Sequence, residues 1–271
     1  MTIFNPWVFS ILAFCIFLSP KILPSAPRCI KMFIYLLALI CISICCLPFV
    51  ICKKRSNKNC LMASWLCVHF CRIFLGITME IKGRENLQQS HGNVLIMNHQ
   101  SYFDVLAISY IWPVIDNITA VAKKQLLYVP FFGIGLWKSG FLFIDRKNRS
   151  QSINTLNTES KAINEKNCKI LVFPEGTCNS EETLLPFKKG PFYMAIQCSC
   201  PIQPIIVTHY DWLHKDFRES KAVINILPEI STKDYEKENV NELIEMCQNK
   251  LQKEYDQINL EFRNNQKYNI K

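Results

Sequence analysis

An uncharged apolar run from Met32 to Cys52 constrains this chain more than any other part of its sequence. A helix needs about 20 predominantly apolar residues to cross the hydrocarbon core of a bilayer, and this run is long enough to do so. A basic cluster follows it directly and consists of Lys53, Lys54, Arg55 and Lys58. Because lysine and arginine beside a span stay on the cytosolic side, we expect a membrane-spanning helix with the rest of the chain in the cytosol.

Two further apolar runs lie on either side of this segment. The run from Trp7 to Ser19 predicts a second span, half of a hairpin or a signal-like segment, and the residues leave these three open. The run from Leu61 to Ile77 is interrupted by His69 and Arg72, and a charge in mid-segment disfavours a full span. It predicts an interfacial helix or, equally, a core helix packed on a domain. We therefore expect residues 1–78 to form a membrane anchor.

Beyond residue 78, short apolar segments alternate with segments of helical periodicity. This alternation predicts an α/β domain at 79–232 with a mixed, largely parallel sheet flanked by helices. Strands are predicted at 79–83, 93–98, 118–122, 141–144, 169–173, 202–209 and 223–227, and helices at 101–109, 150–164 and 192–198. Within 233–271, an amphipathic helix is predicted at 239–262, followed by a polar tail.

Composition narrows the kinds of partner. The net charge of +9 indicates an anionic partner. The sequence has no zinc-finger spacing and no RNA-binding aromatic motif, so we expect no nucleic acid, and a membrane surface or a phosphorylated ligand fits better.

Many of the fourteen cysteines lie inside apolar runs and none forms a CxxC pair, which favours reduced thiols over a disulfide framework. The histidines lack ligand spacing with these cysteines, so we expect no metal site.

The segment NHQSYFD at 98–104 joins a predicted strand to a predicted helix and is the first candidate for chemistry. Ser101 is expected to cap the helix, with Asp104 three residues on. On one continuous helix His99 and Asp104 would lie on different faces, because facing pairs are three or four residues apart. Across a strand-to-helix turn they can meet. Asp104 would then fix the tautomer of His99, whose other nitrogen would accept a proton from a substrate hydroxyl. The alternative is a capping aspartate and an unrelated histidine.

Two later segments place polar residues at the ends of predicted strands. The segment GFLFIDR at 140–146 presents Arg146, whose planar guanidinium suits a phosphate, although a salt bridge with a carboxylate would explain it equally. The segment FPEGT at 173–177 presents Glu175 to a substrate hydroxyl and the amides of Gly176 and Thr177 to an anion. A simple Pro-Gly turn is the alternative for that segment.

These segments, together with KKQLLYVPFFG at 123–133, LLPFKKGPF at 184–192 and CPIQPI at 200–205, resemble the glycerophospholipid acyltransferase family. The resemblance covers residues 83–228 and is closest to the 1-acyl-sn-glycerol-3-phosphate acyltransferases. It implies acyl transfer from acyl-CoA to the sn-2 hydroxyl of lysophosphatidic acid by direct attack, without a cofactor. It also implies that His99 is the base, that Asp104 orients it, and that the acceptor site is shaped by Arg146, Glu175, Gly176 and Thr177.

One position departs from the family pattern. The family usually carries an arginine after the EGT triplet, and this chain has Cys178. The departure removes an expected phosphate ligand. Lys188 and Lys189 are expected to supply positive charge there instead, unless they form an ordinary solvated basic face.

Several functions therefore remain as expectations. The leading one is the transfer described above, in an integral protein of the endoplasmic reticulum membrane whose catalytic domain faces the cytosol. The alternatives are transfer to another lysophospholipid or to glycerol 3-phosphate, hydrolysis of a thioester or ester, and lipid binding without catalysis. The last is disfavoured because a scaffold has no need of His99 and Asp104 in register with FPEGT.

Overall fold

The computed structural model describes residues 28–87, 90–145, 162–213 and 220–268. Its centre is a seven-stranded sheet. The strands are β1 (Ile77–Lys82), β2 (Asn93–Met97), β3 (Ile118–Lys123), β4 (Leu142–Ile144), β5 (Lys169–Val172), β6 (Ile202–Val207) and β7 (Ser220–Ile226).

The strand order is β1-β7-β6-β2-β5-β3-β4. Neighbouring strands are parallel, except that β6 and β7 are antiparallel. The predicted mixed, largely parallel sheet is therefore confirmed. Every residue of β2, β5 and β6 is buried, which explains why these strands are almost continuous apolar runs in the sequence.

Helices cover both faces of the sheet. They are α1 (Arg28–Val50), α2 (Leu61–Phe70), α3 (Asp104–Ile111), α4 (Phe132–Lys138), α5 (Gly190–Gln197) and α6 (Val240–Tyr268), and short 3₁₀ turns lie at Asn57–Cys60, Arg84–Asn86, Lys124–Tyr128 and Asp211–Leu213. Buried side chains of α1, α2 and α3 form one core with one face of the sheet. Those of α5 and α6 form a second core with the other face. The result is a three-layer α/β/α domain.

Helix α1 contains residues 32–50 of the long apolar run, whose last two residues lie in a turn. Among the described residues it is the one helix long and apolar enough to cross a membrane, judged by length and composition. One side of it packs on the domain through Tyr35 and Leu39, whereas Phe33 and Phe49 are exposed on the other. The guanidinium of Arg55 then donates hydrogen bonds to carbonyl oxygens at the end of α4 and the start of β4. Helix α1 and the turn that follows it are thus both joined to the domain.

Helix α2 continues as a π-helical turn at Cys71–Leu75. Cys67, Cys71 and Leu75 are buried against the domain, while Trp65 and Ile73 remain exposed. The expected packing on the domain is therefore present on one side. The interfacial role of the exposed apolar side stays a prediction.

Several predicted boundaries differ from the observed ones. The helix expected from Ser101 begins at Asp104. Ser101 and Asp104 nevertheless make the reciprocal bonds expected of a capping pair: Oγ of Ser101 accepts from the N–H of Phe103 at 3.1 Å, and the N–H of Ser101 donates to the Asp104 carboxylate at 3.1 Å. Strand β7 begins at Ser220 rather than 223, since its first residues pair with β1. Helix α6 extends beyond 262. The run from Trp7 to Ser19 lies outside the described residues, as does most of the helix predicted at 150–164.

Candidate active site

The candidate site lies at the carboxyl ends of three adjacent strands in the middle of the sheet. His99 follows β2, Glu175 follows β5, and Thr208 follows β6. In open α/β sheets the crevice beyond the carboxyl ends of the strands is the usual position for a ligand. The topology therefore brings together segments that are far apart in sequence.

His99 and Asp104 meet across the turn between β2 and α3. The Nδ1 atom of His99 lies 2.5 Å from Oδ2 of Asp104, and the two side chains are 18% and 3% exposed. The same oxygen accepts hydrogen bonds from the backbone N–H groups of Gln100 and Ser101, at 2.8 and 3.1 Å. Since a carboxylate only accepts, the arrangement places a proton on Nδ1 and leaves Nε2 as the basic nitrogen.

Two buried amide side chains hold this turn against the end of β6. Asn98 accepts from the backbone N–H of Val207 at 2.8 Å and donates to its carbonyl at 3.0 Å. Gln100 donates to the carbonyls of Val207 and Thr208 and accepts from the N–H of Tyr210. These bonds fix the backbone on both sides of His99, and thereby the direction of its ring.

Phe173 and Cys178 flank the imidazole of His99. The Phe173 ring stacks on it with centroids 4.1 Å apart. The Cys178 sulfur lies 3.2 Å from Nε2 and 3.8 Å from Nδ1. The two ring nitrogens are so close together that these distances put the sulfur over the ring face, opposite Phe173. The direction in the ring plane beyond Nε2 is therefore left for another group.

Opposing effects set the pKa of His99. Burial disfavours the imidazolium and lowers the pKa, but the contacts with Asp104 and Cys178 outweigh it and raise the pKa from 6.5 to about 9. At neutral pH the free site is thus mostly imidazolium, and the fraction able to act as a base grows as the pH rises towards the pKa.

Glu175 supports the backbone of His99. Its Oε1 accepts from the N–H of His99 at 2.7 Å and its Oε2 from the N–H of Leu185 at 2.9 Å, and the residue is 2% exposed. Burial raises the pKa of this carboxyl, and the two backbone hydrogen bonds partly offset that rise. The hydroxyl-binding role expected for Glu175 stays a prediction. The contact seen here holds His99 in place.

The rest of the FPEGT segment forms the rim of the site. Gly176 has a φ of +74°, a conformation that favours glycine, and its N–H donates to the carbonyl of Phe173 at 3.2 Å. Thr177 is exposed. Lys188 donates its backbone N–H to the carbonyl of Pro174, so Lys188 and the adjacent Lys189, both exposed, stand beside this turn. The rim therefore carries two exposed lysines.

Arg146, the last of the predicted site residues, lies outside the residues that the structure describes. Its phosphate-binding role stays a prediction. In the preceding residue, Asp145, the Oδ2 atom lies 3.7 Å from Nζ of Lys124.

Sequence reasoning missed three contributors to the site. Asn98 and Gln100 lie within the quoted NHQSYFD segment, but their bonds to β6 depend on strand order, which no local pattern reveals. Cys178 was identified only as a missing arginine. Its contact with His99 depends on the adjacency of β2 and β5.

Comparison with known proteins identifies the family. A family model described as "Acyltransferase" matches residues 78–208. The 1-acyl-sn-glycerol-3-phosphate acyltransferase of Haemophilus influenzae is 35% identical over 228 residues, which cover 81% of this chain and 92% of the relative. The human 1-acyl-sn-glycerol-3-phosphate acyltransferase alpha is 28% identical over 213 residues, which cover 77% of this chain and 74% of the relative.

The crystal structure of the 1-acyl-sn-glycerophosphate acyltransferase of Thermotoga maritima has the same fold. It superposes with a TM-score of 0.60 and 19% identity, over 82% of this chain and 92% of that one. The level of identity with the bacterial relative, over nearly its full length, decides the assignment. This chain belongs to the 1-acyl-sn-glycerol-3-phosphate acyltransferase family.

Proposed function

We propose that this enzyme transfers an acyl group from acyl-CoA to the sn-2 hydroxyl of 1-acyl-sn-glycerol 3-phosphate and so forms phosphatidic acid. The observation that carries the proposal is the His99–Asp104 pair at the carboxyl ends of the strands, in which the carboxylate 2.5 Å from Nδ1 leaves Nε2 as the basic nitrogen. The kinship with lysophosphatidic acid acyltransferases supplies the substrate class.

The proposed mechanism is direct attack. Nε2 of His99 accepts the proton of the acceptor hydroxyl in the ring plane, where Cys178 and Phe173 leave room. The oxygen attacks the thioester carbonyl, the C–S bond breaks, and the proton passes from the imidazolium to the departing thiolate of CoA. Asp104 stabilises the imidazolium throughout. General-base assistance of this kind contributes roughly 10²–10⁴-fold to a rate.

The charges at the rim support a phosphorylated acceptor. Lys188 and Lys189 stand beside the turn that carries Cys178, and Arg146 is expected to join them. Ammonium groups bind phosphate as point charges without demanding one orientation. Under this proposal they hold the acceptor phosphate while its hydroxyl reaches His99.

Membrane association supports a lipid acceptor. Helix α1 is long and apolar enough to span a bilayer, and it packs directly on the catalytic layer. An enzyme held at the bilayer meets both the lysolipid and the acyl chain of its donor at high local concentration. We place the enzyme in the endoplasmic reticulum membrane, with the catalytic domain facing the cytosol.

The deciding experiment compares His99→Ala with His91→Ala, a histidine at the opposite end of β2. With labelled acyl-CoA and lysophosphatidic acid in phospholipid vesicles, we expect His99→Ala to lose phosphatidic acid formation by at least roughly 10²-fold. His91→Ala should retain it. Equal activity of His99→Ala and the wild type would overturn the assignment. Release of free fatty acid at the same rate with and without the acceptor would indicate a hydrolase instead.

A further inference from the structure

Cys178 carries a thiol beside the base, next to the position proposed for the acceptor hydroxyl. Its sulfur lies 3.2 Å from Nε2 of His99, whose Nδ1 is held by Asp104 at 2.5 Å. A nucleophile within reach of a base, with that base oriented by a third group, is the arrangement found in enzymes that form covalent acyl intermediates. The Cys178 side chain is exposed, so a thioester bound in the crevice can reach it.

Backbone hydrogen bonds hold the sulfur in this position. The N–H of Asn179 donates to the carbonyl of His99 at 2.8 Å, immediately after Cys178. On the other side of Cys178, Glu175 accepts from the N–H of His99. The loop that carries the thiol is therefore tied to the backbone of the base itself. The exposed side chain of Cys178 can change rotamer about its Cα–Cβ bond, and attack requires a rotamer that brings the sulfur from the ring face towards the ring plane.

The neighbouring imidazole can also serve the thiol as a general base. It can take the thiol proton as the sulfur attacks. Cys168 lies at the other end of β5, away from the carboxyl ends of the strands where His99 lies. The chain therefore offers an internal comparison between a thiol next to the base and one remote from it.

We propose that Cys178 is an S-acylation site, which takes the acyl group from acyl-CoA when no acceptor hydroxyl occupies the crevice. This inference rests on the proposed function, because it uses the same donor and the same base. His99 takes the thiol proton, the sulfur attacks the thioester carbonyl, and the C–S bond to CoA breaks. The departing CoA thiolate then takes the proton from the imidazolium. One thioester replaces another, so the step needs no oxidant, reductant or energy source.

The acylated thiol has a consequence for the enzyme. An acyl group on Cys178 lies beside Nε2, in the space through which an acceptor hydroxyl approaches. Self-acylation therefore occupies the crevice when the donor is abundant and the acceptor is scarce.

The test incubates the full-length protein in phosphatidylcholine vesicles with radiolabelled acyl-CoA and no lysophospholipid. We expect protein-bound label that neutral hydroxylamine releases and that peptide mass spectrometry assigns to Cys178. Cys178→Ala should lose the label at this position, and Cys168→Ala should keep it. His99→Ala should slow its appearance by roughly 10²-fold or more, because the thiol loses its base.

Two outcomes would overturn the inference. One is the absence of label on the peptide that contains Cys178. The other is labelling of Cys178 at the same rate in His99→Ala as in the wild type, which would indicate unassisted reaction of a surface thiol. Phosphatidic acid formation is measured in parallel. Phosphatidic acid formation without label on Cys178 would overturn the inference and leave the proposed function intact. Label on Cys178 without transfer to the lysophospholipid would overturn the proposed function and leave S-acylation of Cys178 intact.

Discussion

Tyr35 of the anchor helix stacks on Phe103, the residue that precedes Asp104, with ring centroids 4.4 Å apart and planes 21° apart. Its hydroxyl donates to the carbonyl of Tyr102 at 3.2 Å. Both Tyr35 and Phe103 are fully buried. Helix α1 therefore forms part of the wall behind the turn that carries His99 and Asp104, and it packs as part of the domain.

Replacing Tyr35 by alanine should impair the domain itself. The change removes a buried ring and leaves a cavity beside Phe103, for which we expect a loss of about 3–5 kcal/mol in the free energy of unfolding. We also expect lower acyltransferase activity, since the turn carrying Asp104 loses its support. Phe33→Ala is the matched control, because that ring is 66% exposed on the same helix. Thermal unfolding and phosphatidic acid formation in vesicles measure both effects. Equal behaviour of the two variants would show that α1 serves only as an anchor.

The pH dependence of kcat/KM should reveal the contact between Cys178 and His99. The wild-type value of kcat/KM should rise with pH and level off near the pKa of His99, about 9, because only neutral imidazole accepts a proton. Cys178 is one of the groups that raise this pKa. Cys178→Ala should therefore shift the acid limb to lower pH, while Cys168→Ala should leave it in place. A limb that does not move would exclude electrostatic coupling between the sulfur and the base.

Asp104→Asn should separate the effect of the Asp104 carboxylate on His99 from its effect on folding. An asparagine oxygen can still accept from the N–H groups of Gln100 and Ser101, but the neutral amide no longer stabilises the imidazolium. We expect activity to fall by roughly 10²–10⁴-fold. Asp256→Asn, on the exposed side of α6, is the control for a lost carboxylate. Unchanged circular dichroism with unchanged activity would contradict the proposed role of Asp104.

The same variant should alter the pH dependence of stability. The folded-state pKa of His99, about 9, lies above its ordinary value of 6.5. Protonated His99 therefore stabilises the fold fully below about pH 6.5, and this contribution is lost as the pH rises through about 9. Asp104→Asn should flatten the dependence of Tm on pH over this window, and an unchanged slope would contradict the assignment of the pair.

The sheet and its helices could be predicted because their signal is local. The almost continuous apolar residues of β2, β5 and β6 indicate strands buried on both faces, and the spacing of Val240, Leu243, Cys247 and Leu251 indicates α6. The meeting of His99 and Asp104 was also local, since only a turn separates them. By contrast, the start of α3 was misplaced, because residues 101–103 form a turn, closed by the hydrogen bonds of Ser101 and Asp104, before the helix begins.

The contacts that were missed all cross the sheet. Asn98 and Gln100 bind β6, and Cys178 reaches His99 from the loop after β5. Their partners are set by the order β6-β2-β5, which follows from packing of the whole domain. Glu175 shows the same limit, since its bond to the backbone of His99 depends on where β5 lies beside β2.

Glu175→Gln should weaken the support of His99. The amide nitrogen of glutamine cannot accept, so either the N–H of His99 or that of Leu185 loses its partner inside the protein. A buried unsatisfied donor costs about 1–3 kcal/mol, and we expect a matching loss in the free energy of unfolding together with lower kcat. Glu181→Gln, an exposed neighbour, should behave like the wild type in denaturant unfolding. Normal stability and normal kcat in Glu175→Gln would show that this carboxylate is dispensable to the site.

Cys178→Arg should convert this site towards the arrangement that the family resemblance leads one to expect. A guanidinium at this exposed position can reach an acceptor phosphate at the rim formed with Lys188, and a charge-assisted hydrogen bond contributes about 1.5–3 kcal/mol. We expect a fall of roughly 10-fold or more in KM for lysophosphatidic acid, by the same energetic argument. A cation beside His99 also lowers its pKa, which should move the acid limb of kcat/KM to lower pH.

The matched control for this last change is Cys178→Gln, which gives a comparable reach without the charge. A panel of lysophospholipids separates recognition of phosphate from a general effect of size. The gain in Cys178→Arg should be largest for lysophosphatidic acid, whose phosphate is a terminal dianion, and smaller for lysophosphatidylcholine, whose phosphate is capped by a cationic head group. Equal gains for both acceptors, or the same gain in Cys178→Gln, would show that position 178 does not select the acceptor phosphate. In that case the selectivity of this enzyme would have to come from Lys188, Lys189 and Arg146.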